Sequence, residues 1–350
     1  MIINIVDVIC LINNNNMPVG HEEKAINQAT MLFDGNREYT IGKFYKNHVS
    51  DENIKCNPVD VKATDSVLLK YAKCIINSYY SIRRNTADVI WFINMNEVVF
   101  WVILLLPKKA KYMMTTYVDW NQKFAKKCPY RNIRKMILEK ALRKVDLVIA
   151  TNYHYHLNVN YIHIPDFYLD EQYKRYIYQH KDGVVCVGVM SESQGILEIA
   201  RAFRNSSLKI IISGYFRDEE YFNKVKQNEC DNVVIQNIVL PYEKYIKMIG
   251  MAKYIVIPYR NSHANRTSGV LQETVALNSI PVSFPDFLRY NNVQGITFEK
   301  YEDIPIRIKE YESGEQTIHN DWKEYDYQII KDKLSYKISE LANKKKKSGR

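Results

Sequence analysis

An α/β protein of two Rossmann-like domains facing across a cleft is the fold class that the sequence predicts, and three observations predict it. A chain of 350 residues exceeds what one hydrophobic core ordinarily serves, so two domains are expected, with a cleft between them. From Gly183 onward, short β-branched runs alternate with helical stretches, the pattern of a parallel, doubly wound sheet. The first half repeats that alternation less cleanly. Ligands of such sheets bind beyond the carboxyl ends of the strands.

Taken in order, residues 2–9 alternate around Asp7 and read as a first strand. They lack the basic start and small-residue cleavage site of a signal peptide. Further strands are expected at 88–93, 111–117 and 147–150, and helices at 65–84 and 132–144. The longest apolar run, Val98 to Leu106, has nine residues, about half of a membrane span, and is expected to be a buried helix. These elements make a first domain over 1–163, and the Pro- and Tyr-containing stretch 164–182 is expected to be a linker. A second domain over 183–312 has strands at 184–189, 208–213, 233–235, 254–257 and 280–284. Helices at 195–204, 218–227, 242–250 and 268–277 separate them. Residues 313–343 hold a periodic helical segment, a candidate for return to the first domain, and 344–350 form a basic tail.

At 46% hydrophobic and 25% charged residues, the composition is that of a soluble globular protein. The six cysteines include no CxxC pair, which argues against a zinc site or a disulfide framework and for reduced thiols in the cytoplasm. His154 and His156 lie close in sequence but have no Cys, Asp or Glu at ligand spacing, so no metal site is expected. A net charge of +10 suits an anionic partner: nucleic acid, an anionic membrane or a phosphorylated substrate. No RNA-binding aromatic motif, zinc finger or helix-turn-helix pattern is present, so nucleic acid is not expected.

The densest chemical signal is the stretch 257–282. A strand ends at Pro258, a polar loop follows, and Thr267-Ser268-Gly269 opens a helix whose free N–H groups form an anion site. Gly269 permits close backbone approach, Ser268 can donate its hydroxyl, and Arg260 or Arg266 can neutralise a diphosphate. The plainer reading of Ser-Gly at a helix start is an N-cap. In the first half, Asp119 follows the strand 111–116 and suits a general base for an acceptor hydroxyl, with Trp120 stacking on a sugar face. The other reading makes Asp119 a helix cap. His21 is a second candidate for the base.

Pro258-Tyr259, Gly269 and Ser279-Ile280-Pro281-Val282 resemble the donor domain of GT-B glycosyltransferases, particularly family 4, the group 1 glycosyl transferases. Gly188 and Gly195 match that family's glycine loop in spacing, and Pro18-Val19-Gly20-His21-Glu22 is similar to the loop after its first strand. The resemblance implies a metal-independent transferase moving a sugar from a nucleotide diphosphate donor to a glycan or lipid-linked hydroxyl in cell-surface polysaccharide synthesis. It implies donor binding by Gly20, Gly188, Arg260, Arg266, Thr267, Ser268, Gly269 and Glu273, and no cofactor beyond the co-substrate. The chain departs from the pattern where the family's cationic pair falls on Val189 and Gln194 and its paired glutamates on Arg266 and Thr274. Two other readings therefore stay open, a non-catalytic glycan-binding or partner-stabilising module and a nucleotide-sugar epimerase.

Residues 122–144 carry nine Lys or Arg against the single acid Glu139. That basic stretch is expected to give weak peripheral attachment to an anionic membrane at its inner face.

Overall fold

The computed structural model describes residues 1–12, 22–48, 53–94, 97–117, 130–151, 159–259, 267–314 and 317–347. The chain forms two compact units, unit 1 of Met1–Ile164 with Lys331–Arg350 and unit 2 of Pro165–Ile330.

Unit 1 runs β1 (Ile3–Val6), β2 (Leu11–Ile12), α1 (Glu22–Leu32), β3 (Arg37–Ile41), β4 (Ile54–Cys56), β5 (Val61–Lys62), α2 (Val67–Arg83), β6 (Val89–Phe92), α3 (Glu97–Leu105), β7 (Lys111–Thr116), α4 (Arg131–Leu142), β8 (Leu147–Ala150) and β9 (Tyr161–His163). Seven strands form a parallel sheet in the order β4-β3-β1-β6-β7-β8-β9, and β2 pairs with β5. β1, β6 and β8 are buried along their whole length, as strands covered on both faces must be. α2 packs on α3 and α3 on α4.

The first strand stops at Val6 rather than Ile9 because Asp7 turns the chain: its Oδ1 accepts the Ile9 and Cys10 amides at 2.9 and 3.2 Å. The short strands β3, β4 and β9 and helix α1 were not expected. The three strands are brief and mix charged or polar residues with apolar ones, so their pairing comes from the sheet rather than from pattern.

Unit 2 continues with α5 (Glu171–Lys174), β10 (Val184–Met190), α6 (Ile196–Arg204), β11 (Ile210–Phe216), α7 (Glu219–Lys226), β12 (Val233–Asn237), α8 (Tyr242–Met251), β13 (Tyr254–Ile257), α9 (Gly269–Ala276), β14 (Ile280–Ser283), α10 (Pro285–Tyr290), β15 (Ile296–Thr297), α11 (Ile304–Ser313) and α12 (Tyr327–Lys347). Its parallel sheet has the order β12-β11-β10-β13-β14-β15. One core joins both faces of that sheet, from Phe203 and Ile246 to Phe287 and Ile304.

The expected linker is not a free connection. Phe167, Leu169 and Tyr176 enter the core of unit 2, and Leu169 exchanges backbone bonds with Tyr325 and Tyr327 at 2.7 and 2.9 Å. The boundary between units falls again inside α12, after Ile330. Beyond it Leu334, Ile338 and Leu341 are buried, Lys333 donates to His163 O at 3.0 Å and Lys331 pairs with Asp34. Among the described residues no helix is long and apolar enough to cross a membrane.

Candidate functional site

In unit 2 the chain leaves β10 toward β11 and β12, then returns to the other side of β10 to lay down β13, β14 and β15. Connections therefore diverge between β10 and β13, and such a switch point opens a crevice at the strands' carboxyl ends. The two strands pair only at Val184↔Tyr254 and Val185↔Ile255, so they part before either ends.

Gly188 stands on one side of that crevice. Its φ of +117° is closed to residues with a Cβ. A Cβ there would lie 3.6 Å from Val270, so the strand end meets the first turn of α9. Gly188 is in register with Gly214 on β11, where a Cβ would fall 1.9 Å from Gly188 O. Backbone, without side chains, thus forms this part of the sheet edge.

The other side is the start of α9. Ser268 is its N-cap, accepting the Leu271 amide on Oγ at 3.3 Å, and Ser268 O accepts Gln272 N at 3.1 Å. The cap leaves the Gly269 and Val270 amides, at the positive end of the helix, outside its own bonds. Among the described residues, a Cβ built on Gly269 would meet no atom within 4 Å. Tyr259 braces the cap, its ring edge-on to Phe287 at 5.5 Å; burial pushes its hydroxyl up to about 12, partly offset by a hydrogen bond with Ser268.

Exposed apolar side chains fringe the same carboxyl edge: Val189, Tyr215, Ile238, Val239 and Tyr242. They follow β10, β11 and β12 or close those strands.

Of the residues expected here, Gly188, Thr267, Ser268 and Gly269 come together at this crevice. Glu273 is buried, and its carboxylate accepts Tyr242 and Tyr245 hydroxyls at 3.1 and 2.6 Å, so it ties α9 to α8. Burial beside that carboxylate raises both tyrosine pKa values. Of the positions where the chain departs from the family pattern, Thr274 is buried and bonds Val270 O, Gln194 accepts Ser191 N at 2.8 Å, and Val189 is exposed. Arg260, Arg266, Gly20, His21, Asp119, Trp120, His154 and His156 lie outside the described residues.

Unit 1 has its own switch point, between β1 and β6. Asp7 stands there fully buried, and burial pushes its carboxyl up to about 6 against the pull of the two amides it accepts. Sequence reasoning used Asp7 only to mark a strand; the signal for more was an acid inside an apolar run. Glu97 and Arg134 were also missed, a bidentate pair at 2.6 and 2.5 Å that joins α3 to α4.

Two cations of the basic stretch 122–144 are engaged within unit 1. Arg134 is taken by Glu97, and Lys144 caps α3 through Ile103, Leu104 and Leu106 carbonyls at 2.9, 3.0 and 3.1 Å. Arg131, Lys135, Lys140 and Arg143 remain exposed. The buried face of α4 is Leu138, Ala141 and Leu142, while Ile133 and Met136 face solvent.

No protein-family model matches the chain, and no curated protein matches it in sequence. Solved structures do. Sucrose-phosphate synthase from Thermosynechococcus elongatus matches with a TM-score of 0.65 at 12% identity, covering 98% of this chain and 99% of that one. α,α-Trehalose 6-phosphate synthase from Burkholderia multivorans gives 0.61 at 8%, over 99% and 98%. UDP-GlcNAc 2-epimerase from Methanocaldococcus jannaschii gives 0.56 at 10%, over 96% and 100%. At these identities the likeness is one of fold: an α/β chain of the GT-B architecture with parallel sheets.

Proposed function

We propose that the chain is a glycosyltransferase that takes a sugar from a nucleotide diphosphate donor and passes it to a hydroxyl of a glycan or lipid-linked acceptor in cell-surface polysaccharide synthesis. The observation that carries this reading is the crevice of unit 2, where Gly188 meets the first turn of α9 and the Gly269 and Val270 amides lie outside the bonds of the Ser268 cap. Negative charge grows on the departing diphosphate, so N–H groups aimed at it lower the barrier. Thr267, Ser268 and Gly269 make that contact, with Arg260 or Arg266 pairing with phosphate and the apolar fringe meeting the base or sugar. The scheme needs no metal or further cofactor. Gly20 is assigned to donor binding, and Asp119, or failing it His21, takes the acceptor proton.

Gly269→Val is the direct test, because among the described residues the structure leaves open space around a Cβ there and the fold should be retained. Calorimetric titration with UDP, GDP and CMP should find one nucleotide that binds wild type and is lost in the variant. Equal binding by both proteins would move the site elsewhere. Asp119→Asn should lower turnover by roughly a hundredfold or more; unchanged turnover returns Asp119 to a capping role.

Two other readings have support of their own. A UDP-GlcNAc 2-epimerase shares the fold, and incubation of a bound UDP-sugar without acceptor would then yield an epimer. A non-catalytic module is supported by the engagement of Glu273 and Gln194 in structural bonds, and it predicts binding without turnover. Peripheral attachment to an anionic membrane rests on the exposed cations of α4, and Lys140→Glu with Arg143→Glu should weaken co-sedimentation with anionic vesicles at low salt.

A further inference from the structure

α2 presents its apolar side to solvent and its polar side to the core. Asn77, Ser78 and Ser81 are buried, whereas Leu68 is 80% and Tyr79 50% exposed, with Tyr71, Ile75 and Ile76 exposed between them. The rotation of the helix is locked: Asn77 Nδ2 donates to Val8 O and Val59 O, both at 3.0 Å, and its Oδ1 accepts Val59 N at 3.3 Å. Ser78 and Ser81, buried beside it, satisfy their hydroxyls within the helix on the Cys74 and Asn77 carbonyls at 2.6 and 2.8 Å. Turning the apolar side inward would break the three bonds of Asn77, so its exposure is specified by the fold.

That outer face carries no charge between Val67 and Tyr79. The two lysines in the span fold back, Lys70 onto Ala63 O and Lys73 onto Asp65, both at 2.7 Å. An anionic bilayer would call for cations pointing outward along such a face; within this span they point away, and the exposed Arg83 comes a turn beyond it. Leu68, Tyr71, Ile75, Ile76 and Tyr79, between 39% and 80% exposed, make one contiguous apolar stripe, and such a stripe marks an interaction surface.

We propose that this face of α2 pairs with the same face of a second copy of the chain about a twofold axis. An isologous contact needs a patch complementary to itself. The exposed positions 68, 71, 72, 75, 76 and 79 have the same spacing read in either direction. In an antiparallel pair Leu68 meets Tyr79 of the second copy, Tyr71 meets Ile76 and Ala72 meets Ile75. Large side chains face smaller ones, and Ala72 near the centre lets the axes approach to the usual 8–10 Å. No charge is opposed across the contact, and the inference does not depend on what unit 2 binds.

Sedimentation velocity on the full chain at micromolar concentration should find a dimer. Ile75→Glu, on the solvent side of the monomer, should weaken association about tenfold or more with an unchanged far-ultraviolet spectrum. Adding Ala72→Lys to that variant places opposite charges across the axis and should restore the dimer. A monomeric wild type overturns the proposal, as does a dimer indifferent to Ile75→Glu or a double variant that stays monomeric. A monomer whose binding to lipid vesicles is lost in Ile75→Glu assigns the face to a bilayer instead.

Discussion

Asp7 illustrates how one side chain can oppose the fold that holds it. Folding raises its pKa to about 6, so the folded chain holds this proton more tightly than the unfolded chain does. The resulting stabilisation is complete below about pH 4 and is lost as the pH rises through 6. Asp7→Asn keeps the acceptor for Ile9 and Cys10 and removes the charge. At pH 7.5 it should stabilise the chain by on the order of 2 kcal/mol, and near pH 4 it should have little effect, as paired urea titrations would read. The glycines of unit 2 separate in the opposite way. Gly214→Ala drives a Cβ into Gly188 O and should cost about 1–3 kcal/mol through displaced strands, whereas Gly269→Val should leave the melting temperature nearly unchanged. Sequence spacing located Gly188 and Gly269 because a resemblance marked them. Gly214 had no such mark, since only the close approach of β10 and β11 shows why a side chain is excluded.

At the scale of elements, α9 depends on α8 for its position. Tyr245→Phe removes the 2.6 Å bond to Glu273 and should cost roughly 1.5–3 kcal/mol, the range for a hydrogen bond to a charged group. Denaturation monitored by unit 2 reporters checks this; an unchanged midpoint would mean that the remaining contacts of Glu273 suffice. The strands of the second half were legible because fully covered parallel strands are written as β-branched runs. The direction of Glu273 was not, since 100° of helical turn separates facing the crevice from facing α8. α2 was recognisable as a helix but its orientation was not. Periodicity turns Leu68, Ile75 and Ile76 inward, and only the bonds made by Asn77 to distant backbone decide otherwise.

For the whole molecule, unit 1 is built from two separated stretches of chain. Its C-terminal contribution buries Leu334, Ile338 and Leu341, spaced to form one stripe of α12. Fully burying three such side chains contributes several kcal/mol, comparable with the entire stability of a domain. A fragment of residues 1–164 should therefore unfold without a cooperative transition, while 165–330, with one continuous core, should melt cooperatively. Differential scanning calorimetry of both fragments decides this, and a cooperative 1–164 fragment would make the α12 stripe dispensable. Length and alternation pointed to two domains. They did not show that residues 165–182 join the core of the second, because Phe167, Leu169 and Tyr176 are scattered among polar residues and find their contacts only across the chain.

The interrupted construction of unit 1 also orders events during synthesis. A ribosome completes every residue of unit 2 before it reaches the part of α12 that closes unit 1, and domains fold as units while the chain emerges. The surface awaiting Leu334, Ile338 and Leu341 therefore stays uncovered for the whole time unit 2 is being made. In that interval unit 1 of the nascent chain is open to holding chaperones.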